Sequence, residues 1–468
     1  MTDSWHSRRR VLQALGTGAV ATVAGCSGSD STGDGTDTRG GVDTTATTGE
    51  SDTDAGDGED PAPAETDATT HTAKLVASDG SADDHLGYTV AVDGDTALVG
   101  APGATPEDQY TAGRAYVFER GADGWTQTTE LAPEVGDPRS FGESVALDGD
   151  MALVGDPGDR DPRGDGVERS VYSIGSVYVF ERGSDGWTQT TKLYAADGDE
   201  NDAFGNAVAL TATTALVGAA NDEDPNGMAE DERYGGAGSA YVFEGDTGSW
   251  TQVAKLAPDD GGPGENFGAN VALADGVALV GAPEDDVNAT NSGSAYVFER
   301  TSGNWRQQAK LAPSGGDERD EFGVGLAVAP TMALVGAHYE DKPNGTMAGA
   351  VYVYERTGGE WNPQEKFAPP NGETTDEFGS RIALDGETAL ITAPGEDVSG
   401  TSLVGAAYLF QRRDGAWTQR DRLVAGDAQK QDDFGEAVAL TDGRALLGAP
   451  DYDTRDAEGA GSAYVFDL

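Results

Sequence analysis

The chain is nearly empty of cysteine and histidine and poor in base. Its one cysteine, Cys26, excludes an intramolecular disulfide, so the fold must be stabilised by packing. Lys and Arg number 30 against 83 Asp and Glu, a net charge of −53, which excludes the basic patches of a nucleic-acid binder. The four histidines, His6, His71, His85 and His338, show no metal-ligand spacing. Neither a nucleophile elbow nor a phosphate-binding loop is present. Paired carboxylates are so frequent that they say nothing about acid–base catalysis. These absences point away from an enzyme, and neither a cofactor nor a metal is expected.

Acid is what the chain has in excess. Asp and Glu occupy nearly every loop, and lysine is scarce beside arginine. This reads as the surface of a protein from a very salty environment, since at about 1 M salt the screening length is roughly 3 Å. Like charge also drives disorder. That alternative fits residues 27–68 and fails beyond them, where short apolar segments keep returning.

The N-terminus reads as an address. Arg8, Arg9 and Arg10 precede a mildly apolar run over 11–25, too short for a bilayer, which takes about 20 residues. Arg8-Arg9 with Val11-Leu12 resembles a twin-arginine export signal, whose machinery carries folded proteins. Val23-Ala24-Gly25-Cys26 resembles a lipobox, which implies cleavage before Cys26 and a lipid on its sulfur. Residues 1–25 are thus expected to be a signal peptide. Residues 26–68, almost all Gly, Ser, Thr, Asp, Glu, Ala and Pro, are expected to be a lipidated, extended tether. The chain would then be anchored to the outer face of the cytoplasmic membrane rather than span it.

Beyond residue 68 the chain repeats. A Phe-Gly or Leu-Gly pair opens each unit at Leu86, Phe141, Phe204, Phe267, Phe322, Phe378 and Phe434. Each unit reads as four strands, like SVALD, ALVGAP, SAYVFER and WTQTTKLAP. In Ala295-Tyr296-Val297-Phe298 both faces are apolar, as a sheet requires when neighbours cover both sides. Asp-Gly turns such as Asp148-Gly149-Asp150 join the first two strands. Trp125, Trp187, Trp250, Trp305, Trp361 and Trp417 begin the fourth strands, and the seventh unit lacks one. Thr69–Leu75 has the matching pattern, so it is expected to complete the last unit and close a ring.

The pattern FG…ALVGAP…GSAYVF over residues 69–468 resembles the FG-GAP repeat, known from the seven-bladed propeller of integrin α chains and from microbial surface proteins. The resemblance implies an all-β, seven-bladed propeller of four-stranded blades. It also implies recognition rather than catalysis. Integrin-type repeats often hold calcium between the first two strands. Here that connection is a short turn, so a calcium site is not carried over.

In such a ring the connections between strands two and three share a face with those entering the next blade. The longest, 158–175 and 221–238, carry Arg160, Arg163, Arg169 and Tyr172, and Arg233 and Tyr234. Tyr110, Tyr339 and Tyr452 occupy comparable loops. Arg169, Tyr172, Arg233, Tyr234 and Tyr339 are the candidate ligand-binding residues, because Tyr and Arg combine area with directional bonds. A plainer reading makes them loop packing and surface ion pairs. Asn288-Ala289-Thr290 and Asn344-Gly345-Thr346 make Asn288 and Asn344 candidate N-glycosylation sites. The chain is therefore expected to be a monomeric surface lipoprotein that binds an extracellular protein or glycan. A surface-polysaccharide enzyme or a purely structural envelope component are the alternatives.

Overall fold

A computed structural model of the chain describes residues 68–468, except 106–111, 165–172, 224–235, 247, 342–345, 369–373, 399, 428 and 455–456. Seven antiparallel sheets stand as blades round an axis. Blade four shows the plan, with strands Val271–Ala274, Val277–Ala282, Ser294–Thr301 and Asn304–Leu311 in that spatial order. First strands of successive blades lie against one another at the axis, and fourth strands form the rim.

Alternation in the third strand builds the seams between blades. Tyr296 and Phe298 point toward blade three and pack with Ala240 and Val242, while Ala295 and Val297 point toward blade five. Phe267 of the Phe-Gly pair meets Tyr296 and Phe298 edge-on, with centroids 5.4 and 5.9 Å apart. Such pairs add about 0.5–1.5 kcal/mol beyond burial. The trio recurs at Phe141, Phe204, Phe322, Phe378 and Phe434; Leu86 replaces the first ring in blade one.

The glycines of the signature are explained by close approach of backbones. Gly268 has φ +91 and donates to the carbonyl of Gly281 at 2.9 Å. A Cβ on Gly281 would strike the carbonyl oxygen of Gly323 in the next blade. Blade six carries Thr392 at this place, and there the following Gly435 stands back, with Thr392 Cβ 3.2 Å from where its own Cβ would be.

On the face formed by the one-to-two and three-to-four turns, the recurring Glu-Arg at the end of the third strand links neighbours. Arg182 pairs with Glu119 at 3.1 Å, Arg300 with Glu244 at 2.7 Å and Arg120 with Asp467 at 3.6 Å. Arg356 and the Trp361 indole N–H both reach Glu299, and Arg412 reaches Glu355. Near the other face, the Gln two residues after the rim Trp in blades one to four caps the preceding blade, as where Gln307 accepts from Asp259 N–H at 3.0 Å.

Closure is narrower than the sequence suggests. Only Ala73–Leu75 pairs with the last blade, antiparallel to Ser462–Asp467, helped by Thr72 N–H on Val465 O at 2.8 Å. Thr69–Thr70 instead runs parallel to Leu423–Val424 on the rim of blade six. The entering chain thus straps two blades. Thr69 Oγ1 holds Asp421 at 2.7 Å, and Lys74 holds Asp427 at 3.0 Å.

Candidate functional site

The face opposite the turns carries seven loops between strands two and three, interleaved with seven connections entering the next blade. Backbone bonds join the two sets: Arg319 N–H donates to Thr290 O at 2.9 Å and Phe322 N–H to Ser292 O at 3.1 Å. A loop on this face therefore rests on a rigid base, the usual setting for binding residues.

Under most loops lies a buried polar cluster. The third residue after strand two supplies a carboxylate, and in blade four it is Asp285, 4 % exposed. It accepts from Ser294 Oγ at 2.6 Å and Tyr296 OH at 3.0 Å, and pairs with Lys310 at 2.8 Å. Lys310 also reaches Asp260 of the entering connection at 2.7 Å. Burial disfavours the charged lysine, but its bonds to Asp260 and Asp285 outweigh this and raise its pKa. Blade three repeats the arrangement with Asp222, Tyr241, Lys255 and Asp197. Blade two has Asp159, Tyr178 and Lys192; blade five, Glu340, Tyr352 and Lys366; blade six, Glu396, Tyr408 and Arg422. In blade seven Tyr452 takes the acid's place and Lys74 lies 3.0 Å above its ring. The acidic stretch Glu284-Asp285-Asp286 thus contains a core residue, not only surface charge.

A second acidic row stands two residues before the opening pair of every blade but the second, where Arg139 takes the place. Asp202 and Asp432 accept from backbone N–H groups three residues upstream, at 2.7 and 2.6 Å. Burial pushes Asp202 up to about 7 and Asp432 up to about 6.

At the axial mouth of this face stand the residues following the Phe-Gly pairs. Five are polar, Tyr88, Glu143, Asn206, Ser380 and Glu436, while Ala269 and Val324 make blades four and five apolar there. Arg381 pairs with Glu436 at 3.1 Å. Burial pushes Glu143 up to about 7 against a hydrogen bond from Ser140, and burial, then Glu143 and Glu436, push the Tyr88 phenol up. Nearby, His338 Nδ1 lies 3.1 Å from Ser380 Oγ and Nε2 lies 3.1 Å from Glu321 Oε2. The Ser380 hydroxyl donates to Glu377 O at 2.8 Å, and both Ser380 and His338 are buried. This trio ties blade five to blade six.

Of the candidate residues, Cys26, Arg8, Arg9, Arg169, Tyr172, Arg233, Tyr234 and Asn344 lie outside the described residues. Tyr339 is half-buried and stacks on His338, with centroids 3.8 Å apart. Asn288 is exposed, and its amide nitrogen donates to Pro313 O at 2.9 Å. Sequence reasoning passed over Tyr194 and Val135, which are 37 % and 45 % exposed. They flank the described part of the blade-two loop, where Arg163 lies over Tyr194 at 5.9 Å and Gly164 packs on Val135. The signal was legible, since Tyr194 follows Lys-Leu where Ala257 and Ala312 stand in other copies. Among the described residues, no group of three or more His, Cys, Asp or Glu is placed to hold a metal ion.

The family model for the FG-GAP repeat matches residues 69–118, 125–180, 187–243, 250–298, 305–354, 361–410 and 417–466. Each matched stretch starts on a rim strand and ends on the third strand of the following blade. No curated protein matches the chain in sequence. Among solved structures, the crystal structure of Saccharomyces cerevisiae Sqt1 is similar, with a TM-score of 0.46 and 11% identity. The similarity covers 86% of this chain and 99% of that one.

Proposed function

Because the chain belongs to the FG-GAP repeat family, we propose that its propeller is a binding module displayed outside the cell on a lipid anchor. The loop face takes an extracellular protein or glycan. The observation that carries this reading is the division of labour within each repeat. Signature residues are engaged in seams and buried clusters, whereas the two-to-three loops differ from blade to blade on a rigid base. Exposed Tyr194 beside Arg163 on the blade-two loop offers the residue types that favour interfaces.

The test is capture from cell-surface extracts at high salt by the lipid-free mature chain. A version with 158–175 and 221–238 shortened is the comparison. Loss of a captured partner on shortening supports the reading; equal capture by both chains, or turnover of a surface polysaccharide by the intact chain, overturns it. Anchoring rests on Arg8, Arg9 and Cys26, and Cys26→Ser is expected to move the protein from membrane to medium. A net charge of −53 accords with a very salty habitat. Lowering salt should therefore reduce the melting temperature through self-repulsion, and indifference to salt would refute the habitat.

A further inference from the structure

Blade seven is built from both ends of the described chain, and a histidine stands on each of its borders. His71 lies within the entering strap, between Thr69–Thr70 and Ala73–Leu75. Its Nδ1 accepts from the backbone N–H of Gly426, in the connection leaving blade six, at 3.1 Å. The ring packs edge-on against Tyr464 and Phe466 of blade seven, with centroids 4.8 and 6.4 Å away. The charged and titratable groups around it are Asp427 of the same connection, Lys74 of the strap and the Tyr464 phenol. A ring nitrogen that accepts a hydrogen bond carries no proton, so this contact requires the neutral imidazole.

His85 has the opposite requirement. It precedes Leu86 of blade one, and its Nδ1 lies 3.0 Å from Asp451 Oδ1 in the loop of blade seven. Asp83 and Asp84 of its own connection and the carbonyl of Pro450 complete its surroundings. With acid on both sides, this contact is strongest with the charged ring.

We propose that blade seven is a pH-bounded latch, holding the ring shut most firmly only while His71 is neutral and His85 is charged. The two limits fall on opposite sides of the ordinary histidine value of about 6.5. Burial depresses the His71 pKa, with Asp427 opposing and Lys74 reinforcing. Its contribution is complete above the unfolded value of about 6.5 and is lost as pH falls through the folded value. The bond to Asp451 raises the His85 pKa against burial. That contribution is complete below about 6.5 and is lost as pH rises through the folded value. Closure is therefore tightest near pH 6.5 and loosens in both directions. Because the latch holds the segment through which residues 1–68 join the ring, it also governs how firmly that segment is held.

Hydrogen exchange on the full chain at constant high salt tests this. Protection of 72–75 and 462–467 is compared with that of 271–282 and 294–301 in blade four, which holds no histidine, at about pH 4.5, 6.5 and 8.5. The expected result is several-fold faster relative exchange in blade seven at both extremes than at the centre. His71→Asn keeps an acceptor without titrating and should remove the acid limb alone. His85→Asn tolerates the positive φ of this residue and should remove the alkaline limb alone. A flat wild-type ratio overturns the proposal even if neither variant folds, and so do limbs that persist in both variants.

Discussion

In blade four, Asp285 lies buried between Ser294, Tyr296 and Lys310. In blade one the corresponding places hold Ala104, Arg114, Tyr116 and Glu130, and the ion pair has moved to Arg114–Glu130, 2.5 Å long and near the surface. The backbone register is the same in both, with tyrosine opposite the fourth-strand charge. The fold therefore demands the tyrosine and a balance of charge. The identity and depth of the carboxylate are free to vary. What depth changes is energy, because a buried carboxylate that loses its cation has nowhere to go.

The largest expected effect tests that depth. Lys310→Met should cost about 3–5 kcal/mol in denaturant unfolding, because Asp285 would remain buried without its cation. Glu130→Gln in blade one should cost less than about 1 kcal/mol. Equal losses would break the comparison. Next is the seam, which every blade shares. Gly281→Ala should cost about 1–3 kcal/mol by crowding Gly323 O, read from the same unfolding midpoint. Thr392→Ala in blade six keeps a Cβ that already fits and should cost only the roughly 1 kcal/mol of the hydrogen bond that Thr392 accepts from Arg381 N–H.

A smaller gain should come from Asp202→Asn in blade three, read by thermal melts against pH. The folded carboxyl sits at about 7, above its unfolded range, because burial disfavours the charge. Between about pH 4 and 7 the folded chain keeps a proton that the unfolded chain has released, so stability falls as pH rises through that window. The amide should flatten this slope and add roughly 1–2 kcal/mol near pH 8. An unchanged slope would place the titration elsewhere. Smallest of all, Arg300→Gln on the turn face should cost under about 1 kcal/mol, and salt should erase the loss.

The ring, the seven units, the role of the tryptophan strands and closure by the entering chain were all legible, because apolar alternation and glycine at close approach admit few substitutes. Asp285 was not, although it stands at a fixed distance beyond Gly-Ala-Pro. Its position accepts Asp, Glu, Ala or Tyr, and 83 acidic residues hide the regular ones among the incidental. The Glu-Arg of the third strand was visible as a repeat, but its partner is on the next blade, which a single unit cannot reveal. The parallel excursion of Thr69–Thr70 was missed for a different reason. Two residues carry no period, and only the rim of blade six gives them a partner. Tyr339 is legible as a loop aromatic, whereas its stacking on the neighbouring His338 ring shows only in the fold.

The strap has one more consequence, for the moment at which the molecule becomes whole. Thr72 bonds a residue 393 positions later in the chain. At the usual elongation rate of roughly 5–20 residues per second, blade seven must wait on the order of half a minute after its first strand leaves the ribosome. During that wait six blades can form in order, while the first strand has only its own short stretch of chain. A route that threaded the polypeptide outward as it was made would deliver that strand to the exterior long before its partner existed. Were the chain exported after completion, as proposed from the likeness of Arg8-Arg9 to a twin-arginine signal, both ends would meet on the side where they are made.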